Sequence, residues 1–229
     1  MPTITVAQPK GGVGKSTAAF MLAVELAKGA EVIAIDADPN APIAKWAKKG
    51  RGPEKLQIIQ AERDGSIIDM IDDAAQKAAF VIVDTEGVAD LRVAQAMSVA
   101  DLVIVPSQGS SLDQDGVAGA IRVIREQEKM LKRSIPFAVL LTRVSAAIRT
   151  RGMVDAEKKL AEYGIDVFET RIVERQALQA MFSFQTTLDG LNPAEVSNID
   201  KAKENARAFA REVISRLKAL KRESNGNAS

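Results

Sequence analysis

Apolar and polar positions alternate along this chain in two distinct rhythms. Short, nearly continuous β-branched runs occur at Thr3–Gln8, Glu31–Asp36, Leu56–Ala61, Phe80–Asp84, Leu102–Pro106, Phe137–Thr142 and Ile165–Phe168. Runs such as Phe80-Val81-Ile82-Val83 and Leu102-Val103-Ile104-Val105 leave no polar face, as in parallel strands buried on both sides. Between them, apolar residues recur at helical spacing over Lys15–Lys28, Ile67–Gln76, Asp113–Leu131, Gly152–Ala161 and Ile199–Leu220. Strand–helix alternation of this kind predicts right-handed βαβ units. The expected fold class is α/β, a doubly wound, mostly parallel sheet with helices on both faces.

Composition narrows the chemistry. The 229 residues contain no cysteine, which excludes disulfides, cysteine nucleophiles, zinc–thiolate sites and iron–sulfur clusters. Histidine is absent too, so proton chemistry falls to carboxylates, lysine, Tyr163 or water. No basic-then-apolar leader opens the chain and no apolar run reaches the roughly 20 residues of a membrane span, so a cytoplasmic protein is expected. The length suits one domain, expected over residues 1–222, with a small, polar, disordered tail at 223–229. Formal charge is only +1, but Lys201–Arg222 holds eight basic residues against two acidic ones.

One motif dominates. Pro9-Lys10-Gly11-Gly12-Val13-Gly14-Lys15-Ser16-Thr17 follows the first strand and opens the first helix, the context of a phosphate-binding loop. Its glycines let backbone N–H groups approach phosphate oxygens, and the helix N-terminus adds unpaired donors and partial positive charge. Lys15 is placed to contact β and γ phosphates, and the Ser16 hydroxyl to ligate Mg²⁺. Pro9 stands where the general G-x-x-x-x-G-K-[ST] pattern has its first glycine.

Lys10-Gly11-Gly12-Val13-Gly14-Lys15-Ser16-Thr17 resembles the deviant Walker A motif of the ParA/MinD family of P-loop ATPases. The resemblance implies that ATP and Mg²⁺ are bound and that Lys10 reaches across a homodimer to the partner's nucleotide. Ile35-Asp36-Ala37-Asp38-Pro39-Asn40 is similar to the family's D-x-D-P-Q segment, with Asn40 for Gln. It implies that Asp38 orients or deprotonates the attacking water and that Asp36 supports the Mg²⁺ shell. Phe80–Thr85 reads as a Walker B strand in which Asp84 holds Mg²⁺, with Gly87 offering an N–H near the γ-phosphate and Glu86 departing from the small residue of many relatives. Leu140-Leu141-Thr142-Arg143 resembles the strand before the family's base-contacting loop, which would bring Thr142 and Arg143 near adenine. The segment Leu102–Asp113 is most like that of the small ParA type, with Gly109 replacing a family proline; Ser111 or Asp113 can also simply cap the long following helix.

By that resemblance the expected activity is ATP hydrolysis coupled to partition of plasmid DNA. The expected partners are a second copy in the ATP state, non-specific DNA and a cargo-linked protein that stimulates hydrolysis. Location at the nucleoid in the ATP state follows from the same reasoning. Arg207, Arg211, Arg216 and Lys218 on the last helix are the candidate DNA contacts, since lysine and arginine supply sequence-independent phosphate affinity. The apolar positions Ala202, Ala206, Phe209, Val213, Leu217 and Leu220 of that helix suit docking on the core, so no membrane binding is expected. The alternatives are a relative that positions conjugative transfer machinery or chemotaxis clusters, a MinD-like membrane-surface regulator, and a metabolic P-loop enzyme.

Overall fold

The computed structural model describes residues 1–229 apart from 63, 88–90, 109–110, 146–150 and 227–229, and apart from the side chains of 111–114 and 151–153. Six strands, β1 (Thr3–Val6), β2 (Val32–Ala37), β3 (Leu56–Gln60), β4 (Phe80–Thr85), β5 (Leu102–Ser107) and β6 (Phe137–Leu141), form one sheet. Their order is β3-β2-β4-β1-β5-β6 and every pairing is parallel. The helices are α1 (Lys15–Ala27), α2 (Pro42–Ala47), α3 (Ile67–Lys77), α4 (Leu91–Ser98), α5 (Ser111–Leu131), α6 (Arg151–Glu162), α7 (Gln176–Ser183) and α8 (Ile199–Gly226). This is the doubly wound parallel α/β fold that the rhythm predicts.

The period-2 geometry of a strand divides the core. Ile4, Val6, Val32, Ala34, Ile82, Leu102, Ile104 and Leu140 point to one face and pack with α1, α2, α7 and α8. The alternate residues point the other way, Ile33, Ile35, Val81 and Val83 onto α3 and α4, and Val103, Val105, Val139 and Leu141 onto α4 and α5. Helix α1 is buried at ten of its thirteen positions. It therefore carries almost no polar face, consistent with its Ala-Phe-Met-Leu-Ala-Val composition.

Three expectations change. Ile165–Phe168 is not a seventh strand: it meets β6 only through a bridge between Val139 and Val167, with amide bonds from Val139 to the Asp166 carbonyl and from Phe168 to the Val139 carbonyl. Its apolar residues are spent on packing rather than on a ladder. The polar tail expected from Glu223 is helical through Gly226, since Glu223, Ser224 and Asn225 continue the last turns of α8; residues 227–229 lie outside the described ones. The short helices α2, α4 and α7 were not expected. Among the described residues no helix is long and apolar enough to cross a membrane.

Candidate functional site

The loop 9–14 leaves the carboxyl end of β1, at the centre of the sheet, and turns directly into α1. Gly14 makes that turn as the residue before the helix, at φ +93°, where a Cβ would be strained. Neighbouring strand ends hold the loop from three sides. The Thr142 hydroxyl, just past β6, donates to the Val13 carbonyl at 2.7 Å. The Gln108 side-chain amide, just past β5, donates to the Gly12 carbonyl at 3.0 Å. Gly87, beyond β4, sits so close that a Cβ there would lie 2.8 Å from the Gly11 nitrogen. Lys15 is buried, and its ammonium donates to the Lys10 carbonyl at 2.8 Å, so the loop folds around its own cation.

A cleft of about 450 Å³ opens above the loop, within the size range of small-ligand sites. It gathers Gly11, Gly12, Gly14, Lys15, Ser16 and Thr17 with Asp38, Pro39 and Asn40 after β2, Glu86 and Gly87 after β4, and Arg143 after β6. The site thus lies outside the carboxyl ends of the strands, where open α/β sheets bind ligands. Lys10 is half-buried at the start of the same loop, and Val13 is fully buried beneath it. Arg143 lines this cleft and also a smaller groove lined by Gly14, Thr17, Thr142, Ile172, Glu174, Arg175 and Gln179. Thr142 therefore borders the groove, but its hydroxyl proton is directed to the loop.

Three carboxylates approach the cleft from below. Asp36 and Asp84 are in register on adjacent strands β2 and β4, both buried. Burial pushes the Asp84 carboxyl well above the usual aspartate range; the Ser16 hydroxyl opposes this, Asp36 and Asp38 add to it by repulsion, and Lys15 draws it down. Neither Asp84 oxygen accepts a hydrogen bond of full geometry, even with Ser16 nearby. Asp36 is also raised, by burial first, against the pull of the Ala44, Asp38 and Ile43 amides. Asp38 is half-exposed at the cleft edge, and its Oδ1 accepts from the Asn40 amide at 2.7 Å.

Among the described residues no three acidic side chains converge as a ready-made metal cage. The donor set at hand is the Ser16 hydroxyl and the buried Asp84 carboxyl beside it. That set fits Mg²⁺, which prefers hard oxygens, takes one or two protein ligands and completes its shell with waters and phosphate oxygens. Asp36 fits less well than expected, because its oxygens are already engaged by backbone amides.

The basic stripe of α8 also needs a correction. Arg216 is held against the fold: its guanidinium bonds Glu212, Asp166 and the Val167 carbonyl and lies over the Phe168 ring at 4.4 Å. Its fork is engaged within the fold, which sets it apart from the other basic residues expected at DNA. Arg207, Arg211 and Lys218 are exposed along one side of the helix. Sequence reasoning missed Gln108 and the groove residues Glu174, Arg175 and Gln179. No periodicity marks them: Gln108 reaches the site because β5 lies beside β1, and the others because the stretch from Ile172 to Glu174 pairs with the residues at the end of β6 and after it.

Residues 4–188 match the CobQ/CobB/MinD/ParA nucleotide binding domain. The protein ParA of Rhizobium radiobacter is 39% identical over 218 residues, which cover 95% of this chain and 98% of that protein. The maintenance of carboxysome distribution protein A of Gloeobacter kilaueensis is 31% identical over 189 residues, 80% of this chain and 83% of its own. Among solved structures, the ATP complex of a Cyanothece McdA variant superposes with a TM-score of 0.77 at 15% identity, covering 93% of this chain and 96% of that one. At that identity the likeness is one of fold.

Proposed function

Since this chain belongs to the CobQ/CobB/MinD/ParA family of nucleotide-binding domains, we propose that it is a ParA-like ATPase that partitions plasmid DNA. The observation that carries the reading is the buried Lys15 ammonium inside a loop clamped from three strand ends, facing Asp38 across one cleft. Nucleotide phosphates offer better acceptors than the Lys10 carbonyl, so Lys15 moves to them, joined by the N–H groups that open α1. Asp38, half-exposed at the cleft edge, accepts a proton or hydrogen bond from water attacking the γ-phosphorus as the bond to the β–γ bridging oxygen breaks. Ser16 and Asp84 would hold Mg²⁺, which would neutralise phosphate charge. Phosphoryl transfer asks for positioning and charge, which is why a chain without histidine can perform it.

The ATP state is proposed to be a dimer closed through Lys10 of each subunit, joining two α8 surfaces. Arg207, Arg211 and Lys218 then supply non-specific DNA affinity at the nucleoid, and a cargo-bound partner protein stimulates hydrolysis and release. The ParA relative supports plasmid DNA as cargo. The carboxysome distribution relative supports a second reading, in which the same cycle positions another body; co-purified partners separate the two. The test is DNA co-sedimentation with ATP, with ADP and without nucleotide, at low and high salt. ATP-dependent, salt-sensitive binding that Lys15→Ala abolishes and Asp38→Ala prolongs supports the proposal. Equal binding in all three states refutes the switch.

A further inference from the structure

Asp36 has most of its acceptor capacity engaged by backbone amides. Its Oδ2 accepts from the amides of Ile43 and Ala44, each at 2.8 Å, and its Oδ1 accepts from the Asp38 amide at 3.2 Å. A carboxylate has about four acceptor directions, and three are occupied. The recipients are not arbitrary. Helix α2 begins at Pro42, and the residue before it, Ala41, has no side chain able to cap. Pro42 lacks an N–H, the Ala41 amide bonds the Asp38 carbonyl at 2.8 Å, and the Lys45 amide is the first to bond within the helix, to the Ala41 carbonyl. That leaves the Ile43 and Ala44 amides as the helix's orphan donors, and Asp36 satisfies both.

Ala41 also sits in the left-handed region, at φ 45° and ψ 54°, a conformation that a side chain disfavours. The turn 38–41 is held between the Asp38 amide and the first amides of α2, all of them tied to one buried carboxylate. The geometry points to Asp36 as a positioning residue: it caps α2 from the end of β2 and so fixes the loop that presents Asp38, Pro39 and Asn40 to the cleft. This rests on the reading of that cleft as the ATP site, and it replaces the metal-shell role that the sequence suggests for Asp36.

The test combines amide hydrogen exchange on the nucleotide-free protein with Mg²⁺ titrations of fluorescent ATP binding, for wild type, Asp36→Ala and Asp36→Asn. In Asp36→Ala the Ile43 and Ala44 amides exchange at least ~10-fold faster, while β1 and β4 keep their protection. Asp36→Asn keeps one oxygen acceptor, which serves the two helix amides. Only the Asp38 amide is then deprotected, and kcat falls about 10-fold or more with little change in KM. The Mg²⁺ concentration at half-saturation stays within about twofold of wild type. Unchanged exchange at Asp38 in Asp36→Asn overturns the proposal, even if Asp36→Ala does not fold, and so does a rise of about 10-fold or more in the Mg²⁺ half-saturation. If wild type binds no nucleotide, the ATPase reading fails and the exchange data still decide the role of Asp36.

Discussion

Replacing Gly87 by alanine tests whether the segment after β4 is a wall of the phosphate loop. A Cβ at that position would meet the Gly11 nitrogen at 2.8 Å, the Gly11 Cα at 3.0 Å and the Lys10 carbonyl carbon at 3.0 Å. All three are backbone atoms of the loop, so no side chain can rotate away. Relief to ordinary contact requires one segment to move by roughly half an ångström, in a protein interior that yields little. Overpacking of this kind costs about 1–3 kcal/mol, and for a chain of this size that lowers Tm by about 2–12 °C. The displaced loop also misaims its N–H groups, and errors approaching 1 Å at a reacting site cost up to ~100-fold. Thermal melts and fluorescent-nucleotide titrations read both effects. Gly11→Ala is the control, because a Cβ there meets nothing within 4 Å, so its Tm stays at the wild-type value. A Gly87→Ala protein with unchanged Tm and unchanged affinity would refute the close-packing argument.

Thr142→Val strips the donor from the buried Val13 carbonyl and costs about 1–3 kcal/mol; ATP and ADP affinities fall together, and Thr142→Ser restores them. Arg207→Ala with Arg211→Ala weakens DNA binding and reduces the slope of log affinity against log salt by about 2 if each meets one phosphate. Arg216→Ala lowers Tm and leaves that slope unchanged, and a slope that fell with Arg216 would return it to the DNA surface. Burial pushes the Glu212 carboxyl up, but the Thr170 and Glu169 amides and Arg216 outweigh it and hold the group below the ordinary glutamate range. Its stabilisation is therefore complete above the unfolded glutamate value and is lost as pH falls through the lower folded one. Melts across the acid range show this loss in wild type and a flatter profile in Glu212→Gln.

The strands and long helices could be read because burial on two faces writes itself into consecutive residues, as in Phe80–Val83, and because one-sided packing repeats along α3 and α5. The phosphate loop could be read because its glycines and lysine are contiguous. Helix α2 could not, since its cap, Asp36, precedes its first residue by six positions and no local signal announces it. Ile165–Phe168 misled because an apolar run records burial, while strand pairing depends on the neighbour, here a single bridge to β6. Arg216 looked like its exposed neighbours on α8, yet Asp166 and Phe168, some fifty residues away, claim it. Thr142 and Gln108 bear on the loop only through the order β1-β5-β6, which no stretch of sequence states.

Helix α1, buried nearly all round, has a consequence for how the molecule can change shape. A rod enclosed on nearly every side has little room to slide without opening cavities, so the loop at its tip is the stationary jaw of the cleft. In the proposed ATPase cycle, a difference between one nucleotide and another would be expressed by the parts that meet that jaw from elsewhere, at Asp38, Gly87 and Gln108. In that proposed cycle the phosphate grip is the fixed point, and the reading of the nucleotide falls to the residues that surround it.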